Sequence, residues 1–298
     1  ISLGNDRINI ELAIKLIENI KLNKATTSTR LIVHIANTEL KAIFHQNIVL
    51  PSMEENIQID IKTFSFYEEC SKDIFDHHFI ISNEYIKTEK QIHSVIVGDD
   101  KLALTIIKDI LLLSNFPYEN KHTINIITKK ATQFFEIIKL ETNYTKEKFP
   151  TIRFKIIDQD FKSPEFYKQE IFLNEDLQNV YICYRNEEIN LNIALELYER
   201  VYLRNSELKT KVLFGMFNEY NLSQKISKDR NFFNRFYTFG NNTDIFTKSK
   251  LIDEKNYKLS KYIHFGYANE FKKEFQRLLL SQLDTKWFNS TKYSDKLS

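Results

Sequence analysis

Residues 186–198 read Asn-Glu-Glu-Ile-Asn-Leu-Asn-Ile-Ala-Leu-Glu-Leu-Tyr, and residues 5–17 read Asn-Asp-Arg-Ile-Asn-Ile-Glu-Leu-Ala-Ile-Lys-Leu-Ile. The later stretch repeats the earlier one at a displacement of 181 residues (186 − 5). The same displacement carries residues 31–37, Leu-Ile-Val-His-Ile-Ala-Asn, onto residues 212–218, Val-Leu-Phe-Gly-Met-Phe-Asn. A constant displacement across a helix, a loop and a strand predicts two copies of one structural unit.

The composition is that of an ordinary folded protein. The chain has 298 residues, of which 42% are apolar, and its formal net charge is +2. This length allows two domains, and the near-neutral charge suggests neither nucleic acid nor a membrane surface as a partner. No apolar run reaches the roughly 18 residues of a membrane span, and no signal peptide is visible. Because the two cysteines, Cys70 and Cys183, suit a reducing compartment, the sequence predicts a soluble, cytoplasmic protein.

Predicted strands and helices alternate along the chain. Apolar and β-branched runs predict strands at residues 29–36, 57–64, 93–97, 123–128, 151–157, 180–184, 211–217 and 232–239. Helical spacing of apolar residues predicts helices at residues 8–20, 39–46, 67–77, 101–113, 131–140, 164–169 and 187–203. This alternation predicts an α/β fold with a doubly wound parallel sheet, the Rossmann-like architecture.

Three domains are predicted. Residues 1–90 are expected to form the C-terminal half of a first Rossmann-like lobe and a connector, with Ile1-Ser2-Leu3 as the end of a strand. Residues 91–245 are expected to form a second, complete lobe. Residues 246–298 carry the apolar spacing of a small helical domain. The chain is therefore predicted to start inside a lobe and to end inside a helical domain.

The first strand–helix turn of the second lobe reads Val97-Gly98-Asp99-Asp100-Lys101-Leu102-Ala103. A dinucleotide-binding turn would place glycine at positions 98, 100 and near 103, and only the first is present. A carboxylate at Asp100 would also repel a pyrophosphate. After the next strand, Thr128-Lys129-Lys130 replaces the acid that binds a ribose and suits a phosphate better.

The candidate cofactor-binding residues of these two turns are Gly98, Asp99, Asp100, Thr128 and Lys129. A nucleotide is a candidate ligand there, whereas NAD(H) is poorly matched. The alternative interpretation is a degenerate turn that is kept for folding.

Catalytic constellations are not found. Tyr-x-x-x-Lys occurs at Tyr144/Lys148 and at Tyr257/Lys261, but neither pair follows the strand where a reductase would carry it. The pair His77-His78 lacks a paired cysteine or a carboxylate cluster at a metal-ligand spacing. We therefore predict that the chain is not an enzyme and has no metal site.

The repeated stretch supplies a second group of candidates, Asn186, Glu187 and Asn190. An asparagine four residues into a helix can hydrogen-bond back to the strand-end loop, at the sheet edge where ligands bind in open α/β folds. The alternative is a helix-capping arrangement, and the sequence leaves both open.

The repeated motif is a polar residue, Asp or Glu, two variable residues, Asn, and then an apolar segment ending in Ala-Leu at residues 186–195. Together with its copy at residues 5–14 it resembles the fourth strand–helix turn of the RCK (regulator of potassium conductance, or TrkA N-terminal) domains. Residues 95–103 are similar to the first turn of that family, with degraded glycines. The resemblance extends over most of residues 1–240.

A second resemblance joins the middle and the end of the chain. Residues 64–75 are similar to a Phe-Asn-x-x-Glu-x-x-Ala-Arg segment of bacterial relatives that carry a ryanodine-receptor-type (RyR) domain. Residues 259–267 resemble the opening Ala-x-x-Ile-His-x-x-Tyr helix of that domain. Residues 287–295 resemble its Trp…Arg-x-Ser-Asn element, with Asp295 where Asn is usual. The resemblance implies a ligand site at His264, Tyr267, Trp287 and Tyr293.

Regulation is the function that these resemblances imply. Such lobes bind a nucleotide or an ion and pass a conformational change to a membrane channel or transmembrane segment, within a homo-oligomer that is a dimer or a tetramer. The alternative is a sensor of nucleotide second messengers in antiviral defence. A third interpretation, an NAD(P)-dependent oxidoreductase, is disfavoured by the missing glycines and the missing proton donor.

Overall fold

Two parallel β-sheets organise the chain. The computed structural model describes residues 1–22, 29–54, 59–78, 90–114, 121–218 and 235–247. The strands are β1 (Thr29–His34), β2 (Ile59–Phe64), β3 (Ile92–Val97), β4 (His122–Thr128), β5 (Ile152–Asp158), β6 (Leu177–Ile182), β7 (Lys211–Gly215) and β8 (Phe236–Phe239). The α-helices are α1 (Asp6–Leu22), α2 (Thr38–Phe44), α3 (Leu50–Glu54), α4 (Phe66–His77), α5 (Lys101–Leu113), α6 (Ala131–Thr142), α7 (Pro164–Tyr167), α8 (Glu187–Leu197) and α9 (Asn242–Ile245).

The larger sheet has six strands in the order β5-β4-β3-β6-β7-β8, and all neighbours are parallel. Its first strand in the chain, β3, therefore lies in the middle beside its fourth, β6. This order is the doubly wound arrangement, in which the strand order reverses at the centre of the sheet. The predicted α/β class with a parallel sheet is confirmed.

Helices cover both faces of this sheet. Because successive side chains of a strand point to opposite faces, Ile96 of β3 belongs to the core cluster beneath α5 and α6. Its neighbours Val95 and Val97 belong to the cluster that contains α8. Every residue of β4 is buried, including its polar residues His122, Thr123, Asn125 and Thr128, so both faces of this strand are covered.

The smaller sheet contains β1 and β2 in parallel. Ala13, Ile17, Val33 and Phe44 are among the residues of its core. The amino group of Ile1 donates to the carbonyl of Ile32 at 2.6 Å, and the His34 N–H donates to the carbonyl of Ile1 at 2.9 Å. Ile1 therefore lies beside β1 as a strand residue would, although it is too isolated to form a strand of its own.

Two predicted helices are interrupted or ended by a π-helical turn. The helix expected at 39–46 continues through a π-helical turn at His45–Val49 into α3. The wide turn precedes Pro51, whose ring removes a backbone donor from the helical pattern. The repeat helix expected at 187–203 is α-helical only to Leu197 and ends in a π-helical turn at Tyr198–Tyr202.

Helix α4 follows the smaller sheet in the chain but packs in the core of the larger one. Cys70, Ile74 and Phe75 are fully buried and belong to the cluster beneath the six-stranded sheet. The helix packs on α5, β8 and α9. Residues on both sides of the predicted division at residue 90 therefore contribute to one hydrophobic cluster. Most of the connector, residues 79–89, and nearly all of the predicted helical domain, residues 248–298, lie outside the described residues.

Candidate functional site

The crevice at the carboxyl ends of β3 and β6 is where an open α/β sheet of this order binds ligands. The turn after β3 brings Gly98, Asp99 and Asp100 to this edge, and the turn after β6 brings Asn186 and Glu187 to it. The structure therefore places the candidates of the two turns at one edge of one sheet. What each side chain contacts there decides what the edge can bind.

Gly98 is required by the close approach of the two strand ends. Its φ is +132°, and an added Cβ would lie 3.2 Å from the carbonyl carbon and 3.3 Å from the carbonyl oxygen of Cys183. The neighbouring strand is held there because the Cys183 N–H donates to the carbonyl of Val97 at 2.9 Å. Strand packing is thus sufficient to explain this glycine.

Asp100 caps the helix that a pyrophosphate would use. Its carboxylate accepts hydrogen bonds from the N–H groups of Leu102 at 3.0 Å and Ala103 at 3.3 Å. Burial raises the pKa of the Asp100 carboxyl above its ordinary value, although these backbone bonds act in the opposite direction. The amide groups that bind an anion at a helix N-terminus are therefore already occupied by a carboxylate of the chain.

The side chains of Asp99 and Thr128 are hydrogen-bonded to each other at the carboxyl edge of the larger sheet. The Thr128 hydroxyl donates to the Asp99 carboxylate at 3.0 Å. The side chain of Thr128 also hydrogen-bonds with Tyr184, and burial raises the pKa of Tyr184 to about 12. Lys129, in contrast, is 75% exposed, and its ammonium group lies 3.8 Å from the carboxylate of Asp160. Of the candidates from these two turns, Lys129 and Asp99 are exposed, Asp100 is half-buried, and Gly98 and Thr128 are buried.

Asn186, Glu187 and Asn190 bind the backbone at the ends of β6 and β7. Asn186 caps α8 by accepting from the N–H groups at positions 188 and 189, at 2.9 and 3.2 Å. The Glu187 carboxylate accepts from the N–H groups at positions 217 and 218, at 2.7 and 3.0 Å. The buried Asn190 amide binds both backbone groups of Tyr184 and donates to the carbonyl of Gly215 at 2.9 Å.

The earlier copy of this stretch makes the equivalent bonds 181 residues upstream. Asn5 caps α1 through the N–H groups at positions 7 and 8. The Asp6 carboxylate accepts from the N–H groups at positions 36 and 37, at 2.9 and 2.8 Å. The Asn9 amide accepts from the N–H of Leu3 at 2.8 Å and donates to the carbonyl of His34 at 2.9 Å. Helix capping and hydrogen bonds to the ends of the neighbouring strands therefore account for the repeated residues of the two stretches.

A cleft between the two sheets was not predicted from the sequence. It has a volume of about 210 Å³ and receives Asn37 from the end of β1, Tyr67 from α4 and Lys101 from α5. Burial raises the pKa of the Tyr67 phenol. No sequence pattern indicated this cleft, because its walls come from the loop after β1 and from α2, α4, α5 and α6, which are far apart in the chain.

A carboxyl group lies in the contact between α4 and α5, near the same cleft. The Ser71 hydroxyl donates to the Asp109 carboxylate at 2.5 Å. Burial raises the pKa of Asp109 to about 6, although Ser71 and the ammonium group of Lys72 favour its charged form. The charge of this carboxylate therefore weakens the contact between the two helices.

We expect the Asp109→Asn variant to show this effect as a change in the pH dependence of stability. A carboxyl whose pKa is raised in the folded state costs stability above its folded pKa, and the cost disappears below its unfolded pKa near 4. The variant should therefore be more stable than the wild type by about 1–2 kcal/mol at pH 7.5, and similar to it at pH 4. Urea unfolding at both pH values measures the difference. An equal difference at the two pH values would contradict the prediction.

The other predicted sites are placed as follows. His264, Tyr267, Trp287 and Tyr293 lie outside the described residues. Within the described ranges, no group of three or more His, Cys, Asp or Glu side chains is positioned to hold a metal ion. The helices of the same ranges are each too short or too polar to cross a bilayer.

No protein-family model and no curated protein matches this chain. The family resemblance therefore rests on the residues that carry it in the sequence. The fold class and the contacts at the sheet edges rest on the structure.

Proposed function

We propose that this chain is a non-catalytic, ligand-sensing regulatory module built from two related α/β lobes, which passes ligand binding on to an ion-channel or ion-transport partner in the membrane. The observation that carries the proposal is the position of α4. This helix follows the smaller sheet and is buried in the core of the larger one. A ligand that moves one lobe would therefore move the other.

The recurring hydrogen bonds support the two related lobes. Ile1 lies opposite Val33 of β1, and Ile182 pairs with Phe214 of β7 in the same register, 181 residues further on. In both places a capping asparagine, a carboxylate and a buried asparagine bind the same backbone positions. Because these groups lie on different elements, their shared displacement is best explained by duplication of one unit.

The contacts between the lobes support coupling. The ring of Phe66, the first residue of α4, lies 5.3 Å from that of Phe217, and the ring of Phe64 lies 5.5 Å from that of Phe246. Both pairs have the edge-to-face geometry that stabilises aromatic contacts. The cleft that receives Asn37, Tyr67 and Lys101 lies beside this contact and is lined from both lobes. A ligand bound there would change the geometry of the contact.

The occupied helix terminus supports a non-catalytic role. Asp100 fills the place of a pyrophosphate at the start of α5. Tyr144 of one Tyr-x-x-x-Lys pair lies near the start of β5, at the opposite end of the strands from Gly98. Its hydroxyl donates to the carbonyl of Ile152 at 3.0 Å. Neither Asp100 nor Tyr144 is placed for hydride transfer at the edge where a nicotinamide cofactor would bind.

Calorimetry with NAD(H) and thermal unfolding with a panel of nucleotides and ions test the proposal. Because Asp100 competes for the anion site, we expect NAD(H) to bind with a dissociation constant above roughly 100 μM, which corresponds to less than about 5.5 kcal/mol. A regulatory nucleotide or ion from the panel should raise the melting temperature. Low-micromolar affinity for NAD(H) would favour the oxidoreductase, and a panel without any stabilising compound would refute ligand sensing.

Paired variants identify where the ligand binds. Lys101→Ala removes a charge from the cleft, and Lys129→Ala removes an exposed charge outside it. Loss of the ligand-induced shift in Lys101→Ala alone would place the ligand between the lobes. Loss in His264→Ala and Trp287→Ala, with unchanged stability of the ligand-free protein, would place it in the RyR-like region and favour the second-messenger sensor.

A further inference from the structure

Helix α1 exposes an apolar face. Ile8, Leu12 and Leu16 are spaced by four residues and so lie on one side of the helix. They are 48%, 37% and 38% exposed. These three residues are called the α1 face below. A continuous row of large aliphatic side chains in contact with water is typical of a surface that another element covers.

The counterpart of this face on α8 is covered. Leu12 and Leu16 correspond to Ile193 and Leu197, which are both fully buried. These two residues belong to one buried cluster together with Val95 and Val97 of β3 and with Phe166 and Phe172 of the segment after β5. The layer that buries the α8 face thus includes side chains from the half of the lobe that precedes α8 in the chain.

The remaining sides of the two helices are alike. Ala13 and Ala194 are both fully buried, and so are Asn9 and Asn190. Each helix therefore packs on its own following strand in the same way. The difference is confined to the side that β3 and the residues after β5 cover in the larger lobe.

The sheet shows the same difference. Ile182 lies between two strands, because it pairs with Val97 of β3 on one side and with Phe214 of β7 on the other. Ile1 has β1 on one side. In the part of the chain that the structure describes, no strand lies on its other side. This open edge and the α1 face correspond to the positions that β3 and its layer occupy in the larger lobe.

We propose that the α1 face and the open side of Ile1 form the docking surface for a strand-first α/β half-lobe, built like residues 92–173 of this chain. Its first strand would pair in parallel beside Ile1 and place β-branched side chains, as Val95 and Val97 do, on Leu12 and Leu16. A second copy of this chain does not supply such a half-lobe, because its own β3 already lies between β4 and β6. The inference rests on the proposed duplication and is independent of the ligand.

The proposed duplication also suggests an experiment that tests this docking surface. A second copy of residues 90–181 is joined ahead of Ile1, so that Tyr181 of the added copy precedes Ile1 as it precedes Ile182 in the chain. Leu12→Cys then reports on the α1 face through its rate of reaction with a maleimide, since Cys70 and Cys183 are buried. We expect this rate to fall at least about tenfold in the joined protein, because a covered site reacts only when the contact opens. Leu140→Cys, at a position that is 79% exposed, should react equally fast in both proteins.

Three results would overturn the proposal. Leu12→Cys could react as fast as Leu140→Cys in the joined protein. A Phe166→Cys change in the added copy shows whether that copy has folded, and slow reaction there together with fast reaction of Leu12→Cys would mean that a folded half-lobe does not dock on the α1 face. Slow reaction of Leu12→Cys in the original chain would mean that the face is already covered, by a second copy if the protein is a dimer and by residues 248–298 if it is a monomer. Each of these outcomes is separate from the ligand screen, whose result does not depend on the α1 face.

Discussion

Replacing Asn190 by Ala is expected to lower the free energy of unfolding by about 2–4 kcal/mol. The buried amide binds the N–H and the carbonyl of Tyr184 at 2.9 and 2.7 Å, and the carbonyl of Gly215 at 2.9 Å. Alanine leaves these backbone groups without their partner at the point where β6, β7 and α8 meet. Each buried polar group that loses its only partner costs about 1–3 kcal/mol. Urea unfolding followed by circular dichroism measures the loss.

Asn186→Ala is the matched control for this variant. Asn186 stands at the cap of the same helix and accepts two N–H bonds at the surface, so its loss should cost only about 1 kcal/mol. Asn9→Ala in the earlier copy removes the corresponding buried amide and should behave like Asn190→Ala. If Asn190→Ala costs no more than Asn186→Ala, the amide does not hold the strand ends together.

Replacing Ile74 by Ala is expected to destabilise the whole protein by about 2–5 kcal/mol. Ile74 lies in α4 and is fully buried in the core of the larger sheet, although it precedes that sheet in the chain. The truncation leaves a cavity between α4 and the sheet. Because α4 connects β2 of the smaller sheet to the core of the larger sheet, both sheets should unfold in one transition. Calorimetric unfolding measures the size of the loss and the number of transitions.

Ile43→Ala provides the control, because Ile43 is 53% exposed. A surface substitution of this kind should change stability by less than about 0.5 kcal/mol. The prediction about Ile74 would be wrong if the variant unfolded in two separate steps, with the larger lobe unaffected. That result would mean that the two sheets unfold independently, and it would remove the main support for the proposed coupling between them.

The sequence determined the α/β class and the starts of the main helices. Each of β3, β4 and β6 contains a cluster of β-branched or aromatic residues, such as Val95-Ile96-Val97 in β3, so these strands could be recognised without any knowledge of their neighbours. Helix α8 begins at a capping asparagine, Asn186, whose chemistry is local. The strand ends were less predictable. Met216 and Phe217 extend the apolar run of β7 and are buried, but they lie after the end of the strand at Gly215.

Only the tertiary structure decided which sheet buries α4, what occupies the start of α5, and where α4 meets the elements around the larger sheet. The apolar spacing of residues 67–77 shows that this helix has a buried side, but it does not show which sheet buries it. The sequence of the Gly98 turn likewise shows an acid at position 100, whereas the bonds from Leu102 and Ala103 show that this acid fills the anion site. A local sequence pattern indicates that a residue is buried or charged. Which residues it contacts, and therefore what it does, depends on parts of the chain that are distant in sequence and that only the folded structure brings together.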